Sequence, residues 1–398
     1  MKRLMAAILI LMLVFGCTQS TAKKQEAPEE VNVKIVVEQE KVTVIEPEKK
    51  PIDQIPIIPV ENKTQELPVV EPPKEETTVV EPAKTEKLSI PPEIEGNCIG
   101  FLVGTPEEMS TVNTIGASWV RPHPGPFVWG FVQPTEAEKY DFSRTDEYAI
   151  AAQKNNVTIL ATIWPFADWD QKKYSKDCSV GKEDEFYPSG TNKGIPAMRC
   201  KPYSMADYTK FLTKLVERYD GDGINDMPGL KYPIKYWEII NEPELESSTL
   251  NFFKGDQQDY LDVVKASYGA IKETCEDCKI VQGGAAGTTT TFLLYWKVEY
   301  QKGLGDYIDI TNMHYVKSGD VTNLNTKKWK EQLNAVNISK PIWITEAEYK
   351  EKADMAPSFL GALRNGASKV FFTRFVLGST GTPTAGKYSE EYTKLACR

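Results

Sequence analysis

From Gly96 onward the chain alternates short apolar runs with longer segments whose apolar residues recur every three or four positions. The short runs, rich in β-branched and aromatic residues, predict strands at Cys98–Val103, Ser118–Arg121, Thr158–Ile163, Lys235–Ile240, Lys279–Gly283, Ile308–Met313, Pro341–Thr345 and Lys369–Phe375. The longer segments predict helices near Thr145–Lys154, Met205–Tyr219, Gln257–Glu273, Thr290–Gln301, Thr326–Asn334 and Pro357–Asn365, with a last one near Ser389–Ala396. Tyr208, Phe211, Leu212, Leu215, Val216 and Tyr219 show the helical spacing most clearly. Short strands apolar on both faces, mostly followed by helices, predict an α/β fold: a (β/α)₈ TIM barrel. A doubly wound open sheet is the alternative, but no glycine-rich nucleotide loop follows the first strand. Two irregularities stand out: the first helix shrinks to a turn around Pro106–Thr111, and a long excursion runs from Trp164 to Pro202.

The pattern before Gly96 is different. Lys2 and Arg3 precede an apolar run from Leu4 to Phe15, too short to span a membrane and flanked like a targeting segment. Its end, Val14-Phe15-Gly16-Cys17, resembles the lipobox of prokaryotic lipoproteins, although Phe15 replaces the small or aliphatic residue usual there. That resemblance implies removal of residues 1–16, lipidation of Cys17, and a lipid anchor at the cell surface. An ordinary signal peptide cut nearby is the alternative; both readings export the protein. Residues 17–93 are rich in Pro, Glu, Lys, Val and Thr, with Val44-Ile45-Glu46-Pro47 echoed at Val69–Pro72 and Val79–Pro82. Proline this frequent predicts an extended, disordered tether, and a small β module would lack aromatic residues for its core. Residues 94–398, which hold all 8 Trp, are expected to form one catalytic domain.

The chain carries 47 basic against 56 acidic residues, and loss of the leader would make it more acidic still. This balance argues against nucleic acid or anionic lipid as partners and is compatible with neutral glycans. Cys17 aside, Cys98, Cys178, Cys200, Cys275, Cys278 and Cys397 make an even set in an exported chain, which suggests disulfides. The expected pairs are Cys98–Cys397, Cys178–Cys200 and Cys275–Cys278. Zinc is the rival for Cys275-x-x-Cys278, but no second such pair exists and His123 and His314 are the sole histidines. No metal and no cofactor are expected, and the protein is expected to act as a monomer.

The candidate chemistry lies at two strand ends. Trp237-Glu238-Ile239-Ile240 runs into Asn241-Glu242-Pro243, where proline stops the strand and leaves Glu242 at its carboxyl end. Pro341-Ile342-Trp343-Ile344-Thr345 stops likewise at Glu346. In a (β/α)₈ barrel the carboxyl ends of all strands open on one face, so the two glutamates converge. A carboxyl pair flanking a sugar bond serves a glycosidase as acid/base and nucleophile.

Asn-Glu-Pro after the fourth strand and Ile-Thr-Glu after the seventh, on eight alternating units, resemble the clan A retaining glycoside hydrolases, which include cellulase-, mannanase- and β-xylosidase-like barrels. The resemblance spans the domain from about Gly96 and is strong at the two glutamate motifs. It implies that Glu242 is the acid/base, Glu346 the nucleophile, and Asn241 a ligand of the sugar 2-hydroxyl. It also implies roles for Arg121 and for His314-Tyr315. Arg121 is expected to hold Glu346 ionised, Tyr315 to donate to Glu346, and His314 to line the sugar site; a neighbouring carboxylate is expected to raise the Glu242 pKa.

Two further acids compete. Glu238 should lie deeper in the barrel as a structural acid, paired with Arg374, and Glu348 is the rival nucleophile. Aromatic side chains suited to sugar faces cluster after the second and third strands: Phe127, Trp129, Trp164, Phe166 and Trp169. Trp237 and Trp343 are expected in the core. Clan members commonly end the eighth strand in tryptophan; here Phe375 is the substitute. The function expected is a retaining hydrolase of β-linked extracellular poly- or oligosaccharides. A catalytically silent glycan-binding barrel and a transglycosylase are the alternatives.

Overall fold

A computed structural model describes residues 87–103, 105–180, 194–246, 251–349 and 351–373, with Leu395 and Cys397. The leader with Cys17, the Pro-rich segment up to residue 86, Arg374, Phe375 and nearly all of the predicted last helix lie outside the described residues.

Eight parallel strands form the barrel: β1 Ile99–Leu102, β2 Trp119–Arg121, β3 Thr158–Ile163, β4 Tyr236–Ile239, β5 Lys279–Gln282, β6 Thr311–Val316, β7 Ile342–Glu348 and β8 Ala367–Phe372. The hydrogen-bonded order is β5-β4-β3-β2-β1-β8-β7-β6. Parallel bridges Val281–Ile310 and Ala285–Met313 join β5 to β6 and nearly close the ring. Helices cover the outside because the strands are apolar on both faces. The helix Met205–Glu217 shows why: Ser204 caps its first turn, and Tyr208, Phe211, Leu212, Leu215 and Val216 form its buried stripe.

Strand boundaries differ from expectation mainly at β6, which begins at Thr311 rather than Ile308. The 3₁₀ turn Leu304–Tyr307 occupies the preceding residues, and Ile310 contributes only an isolated bridge. Packing also begins before Gly96. Ile90 and Ile94 are buried, and the Leu88 N–H donates to the Gly221 carbonyl at 2.7 Å.

The barrel interior is layered. Its floor is an apolar cluster of Leu102, Trp119, Leu160, Val281, Ile310, Trp343 and Phe371. Lys369 lies across this floor with Nζ 4.2 Å from the Trp119 ring centroid, donating to the Glu95 and Asn97 carbonyls. Trp237 faces the helices instead, its ring 6.0 Å from Phe127. Both tryptophans are therefore core residues, on opposite sides of the sheet. The pairs Cys98–Cys397, Cys178–Cys200 and Cys275–Cys278 are disulfides, as expected. Among the described residues, no helix is long and apolar enough to cross a membrane.

Candidate active site

Above the floor sits a polar layer built around Arg121, the inward-facing last residue of β2. Its Nε donates to Glu238 at 2.7 Å, Nη1 to Glu346 at 2.8 Å and Nη2 to the Asn241 side chain at 2.7 Å. Glu238, fully buried on β4, also accepts from Thr162 at 2.5 Å and Asn312 at 2.7 Å. The interior partner of Glu238 is thus Arg121. Arg374, the partner expected for it, lies outside the described residues. Burial alone would weaken the Arg121 charge, but Glu238 and Glu346 outweigh it and raise its pKa. The guanidinium stays cationic.

Local backbone irregularities bring the two glutamates into the mouth. Past β4, Ile240 (φ 63°) and Glu242 (φ 41°) adopt left-handed backbone conformations, sparsely populated and for a β-branched residue an outlier. Strain of this kind costs about 1–3 kcal/mol per residue and collects at functional sites. In β7 the registers with both neighbours shift by one residue between Ile344 and Ala347. The resulting bulge lets consecutive residues, Thr345 and Glu346, both face inward. Strand alternation by itself would have turned one of them away, and the strand continues to Glu348 instead of stopping at Glu346.

His314 stands between the glutamates. Its Nδ1 is 2.7 Å from Glu242 Oε1 and 3.9 Å from Glu346 Oε1, and its Nε2 is 3.0 Å from Thr345 Oγ1. One oxygen of each glutamate and one His314 nitrogen lie within 4.8 Å of one another. Gly284 makes this approach possible, since a Cβ there would overlap the imidazole ring.

Electrostatics divide the pair. Burial, against the pull of Arg121 and helped by Glu238, pushes Glu242 up to about 8, so it holds a proton at neutral pH. Burial is the main cause, and the neighbouring carboxylate that assists it is Glu238. Burial also raises Glu346, opposed by His314 and by the Arg121 ion pair. Burial lowers His314 to about 4 and leaves it neutral. A neutral imidazole has one donating and one accepting nitrogen, and it links Glu242 at Nδ1 to Thr345 at Nε2 by hydrogen bonds. Two carboxylates and a histidine can surround a cation, but Arg121 already brings positive charge to Glu346 at hydrogen-bond distance. Cys275 and Cys278 are bonded to each other and offer no thiolate to a metal.

Other expected residues fall elsewhere. Tyr315 points away from the mouth by alternation; its ring lies 6.4 Å from Tyr349, and its hydroxyl is raised by burial and by Asp354 and Asp320. It is not the donor to Glu346; Arg121 is. Trp129 and Trp164 are fully buried, their indole N–H groups donating to the Gln133 side chain and the Pro124 carbonyl. Neither ring face is open to a sugar, because Trp129 packs on Tyr208 and Phe211 of the helix Met205–Glu217 and Trp164 packs against His123 and Phe252. Phe127 and Phe166 are buried with them. Trp169 is half-buried, bonded to the Gln133 carbonyl at 2.9 Å. Glu348 is partly exposed and paired with Lys317 rather than with Arg121. Phe375 lies outside the described residues.

The sequence reading missed Thr162, Asn312 and Thr345, which fix Glu238 and His314. Asn312 precedes His314 by two residues on the same strand face, and that spacing was the available signal. It also missed Glu244, whose Oε1 accepts from the Ala286 N–H at 2.7 Å and the Trp296 indole at 2.8 Å.

No protein-family model and no curated protein sequence matches the chain. Solved structures do match in fold. A glucosidase from Croceicoccus marinus shares 14% identity at a TM-score of 0.50, covering 76% of this chain and 63% of that one. A GH39 enzyme from Xanthomonas axonopodis pv. citri shares 14% at 0.50, over 73% and 60%. A β-galactosidase from Rahnella sp. R3 shares 12% at 0.50, over 75% and 56%. The chain spans about three fifths of the length of these proteins. The likeness is one of fold: a barrel shared with solved glycosidases.

Proposed function

We propose that this protein is a retaining glycoside hydrolase that cleaves β-linked oligo- or polysaccharides by double displacement. The observation that carries the reading is the unequal pair at the barrel mouth, a proton-holding Glu242 within 4.8 Å of an Arg121-paired Glu346. Carboxyl groups about 5–5.5 Å apart suit retention, and wider gaps suit inversion. Glu346 attacks the anomeric carbon while Glu242 gives its proton to the departing oxygen, so the glycosidic C–O bond breaks as a glycosyl ester forms. Glu242, now a carboxylate, then takes a proton from water as that water attacks the same carbon and frees Glu346. Asn241, held by Arg121, is positioned to meet the sugar 2-hydroxyl.

The leader sequence supports export and a lipid anchor at Cys17. The disulfides fit an oxidising compartment. In this reading the Pro-rich segment holds the barrel off the membrane, the substrate is an extracellular glycan, and the protein works as a monomer.

Glu242→Gln tests the acid role. The variant is expected to lose about 10²–10⁴-fold in kcat/KM on glycosides with poor leaving groups and far less on those of acidic phenols. An equal loss across leaving groups would remove Glu242 from this role. The pH profile carries the same signature. Wild-type kcat/KM should fall as pH rises through about 8, where Glu242 gives up its proton. It should fall again on the acid side as Glu346 is protonated. In Glu242→Gln the basic limb should vanish; a limb that persists near pH 8 would assign it to another group.

A further inference from the structure

A cavity of about 670 Å³ opens between the segments that follow β5 and β6, with Ala286, Thr288, Phe292, Val316, Ser318 and Asp320 among its walls. Its size falls within the roughly 300–1,000 Å³ of small-molecule sites. Glu242 and Glu346 do not line it, but two of its walls continue from the elements that hold them. Val316 lies two residues beyond His314 on the same face of β6 and is exposed. Ala286 is clasped by Glu244, two residues past Glu242, and the Glu242 N–H donates to the Gly284 carbonyl at 3.0 Å. The cavity wall is thus tied to the segment that carries Glu242. Glu242 also turns Oε1 toward β6, where His314 holds it.

We propose that this cavity is a saccharide subsite that receives the leaving-group sugar, so that the substrates are oligosaccharides rather than glycosides of small alcohols. This rests on the hydrolase reading, in which the leaving oxygen must approach Glu242. The wall chemistry fits a neutral, hydroxylated ligand. Thr288 and Ser318 are joined by Asp320 and Glu331 against Lys327 and Lys328, so the formal charges cancel. Phe292, half-exposed in the first turn of the helix Thr290–Gln301, stands outside the hydrophobic core and close to Gly287. An aromatic ring placed so can cover the apolar C–H face of a sugar. Glu244 is a positioning residue for this wall.

The test compares wild type with Phe292→Ala and with Ser318→Trp, which would fill the cavity, in the full chain. Each is assayed on an oligosaccharide and on the glycosyl fluoride of the same glycone, whose departing fluoride needs no sugar subsite. The proposal expects kcat/KM on the oligosaccharide to drop about tenfold, the scale of one aromatic contact, with far less change on the glycosyl fluoride. Equal losses on both substrates, or no loss on either, would overturn it. Nuclear magnetic resonance titration of the same oligosaccharides into Glu346→Gln, with and without Phe292→Ala, separates the two readings. Binding that depends on Phe292 without wild-type turnover keeps the subsite and refutes the hydrolase; turnover without binding at Ala286–Phe292 does the reverse.

Discussion

Glu346→Gln should abolish glycoside turnover, by more than about 10³-fold in kcat, while leaving the barrel folded. The amide can still accept from Arg121, but it cannot displace a leaving group and form a stable glycosyl ester. Arg121 keeps Glu238 as a counter-charge and burial already opposes the Glu346 anion, so the stability cost stays small. Azide added to Glu346→Ala should restore part of the activity and yield a glycosyl azide of inverted configuration. Glu348→Gln is the internal control. That acid pairs with Lys317 and makes no bond to Arg121 or His314, so its loss should change little. Activity of Glu346→Gln within tenfold of wild type would exclude Glu346 as nucleophile.

Arg121→Met should be the most damaging change to the fold and should impair activity as well. The guanidinium is fully buried and binds Glu238 and Glu346 at once. Its removal leaves Glu238 in the barrel interior without a counter-charge, and breaking a buried ion pair from one side costs about 3–5 kcal/mol. Denaturant unfolding measures this directly. Arg121→Met combined with Glu238→Gln should recover much of the loss, because the stranded charge is gone. Without Arg121 the Glu346 anion also loses its nearest cation, so its pKa rises and the acid limb of the pH profile moves toward neutrality. Wild-type stability in Arg121→Met, or no recovery in the double variant, would contradict this account of the polar layer.

How far the sequence led depended on which features obey strand periodicity. Apolar runs buried on both faces and the helix stripe at Tyr208–Tyr219 follow simple patterns, so the barrel and most strand positions were readable. Glu242 and Glu346 were readable as residues, because a proline stop and a strand end mark them. Their orientation was not. Left-handed backbone at Ile240 and Glu242 and the bulge in β7 break the alternation from which facing directions are inferred. Tyr315 was misplaced by the converse error: β6 is regular beyond His314, so neighbouring residues must diverge. Trp129 and Trp164 were read as platforms because aromatic residues near a barrel mouth suit sugars. Whether they surface depends on how the segments after β2 and β3 fold back, and local sequence does not encode that. The Arg121–Glu238 pair joins strands far apart in the chain, and no local pattern reports such contacts.

The most direct test of the central claim is to trap the covalent intermediate. Incubation with a panel of activated 2-deoxy-2-fluoro glycosides, followed by intact mass and peptide mapping, should show one fluorosugar bound through Glu346. Turnover that persists with no labelled enzyme across the panel, or label on Glu348 or another residue, would contradict the assignment of Glu346 as the attacking carboxylate.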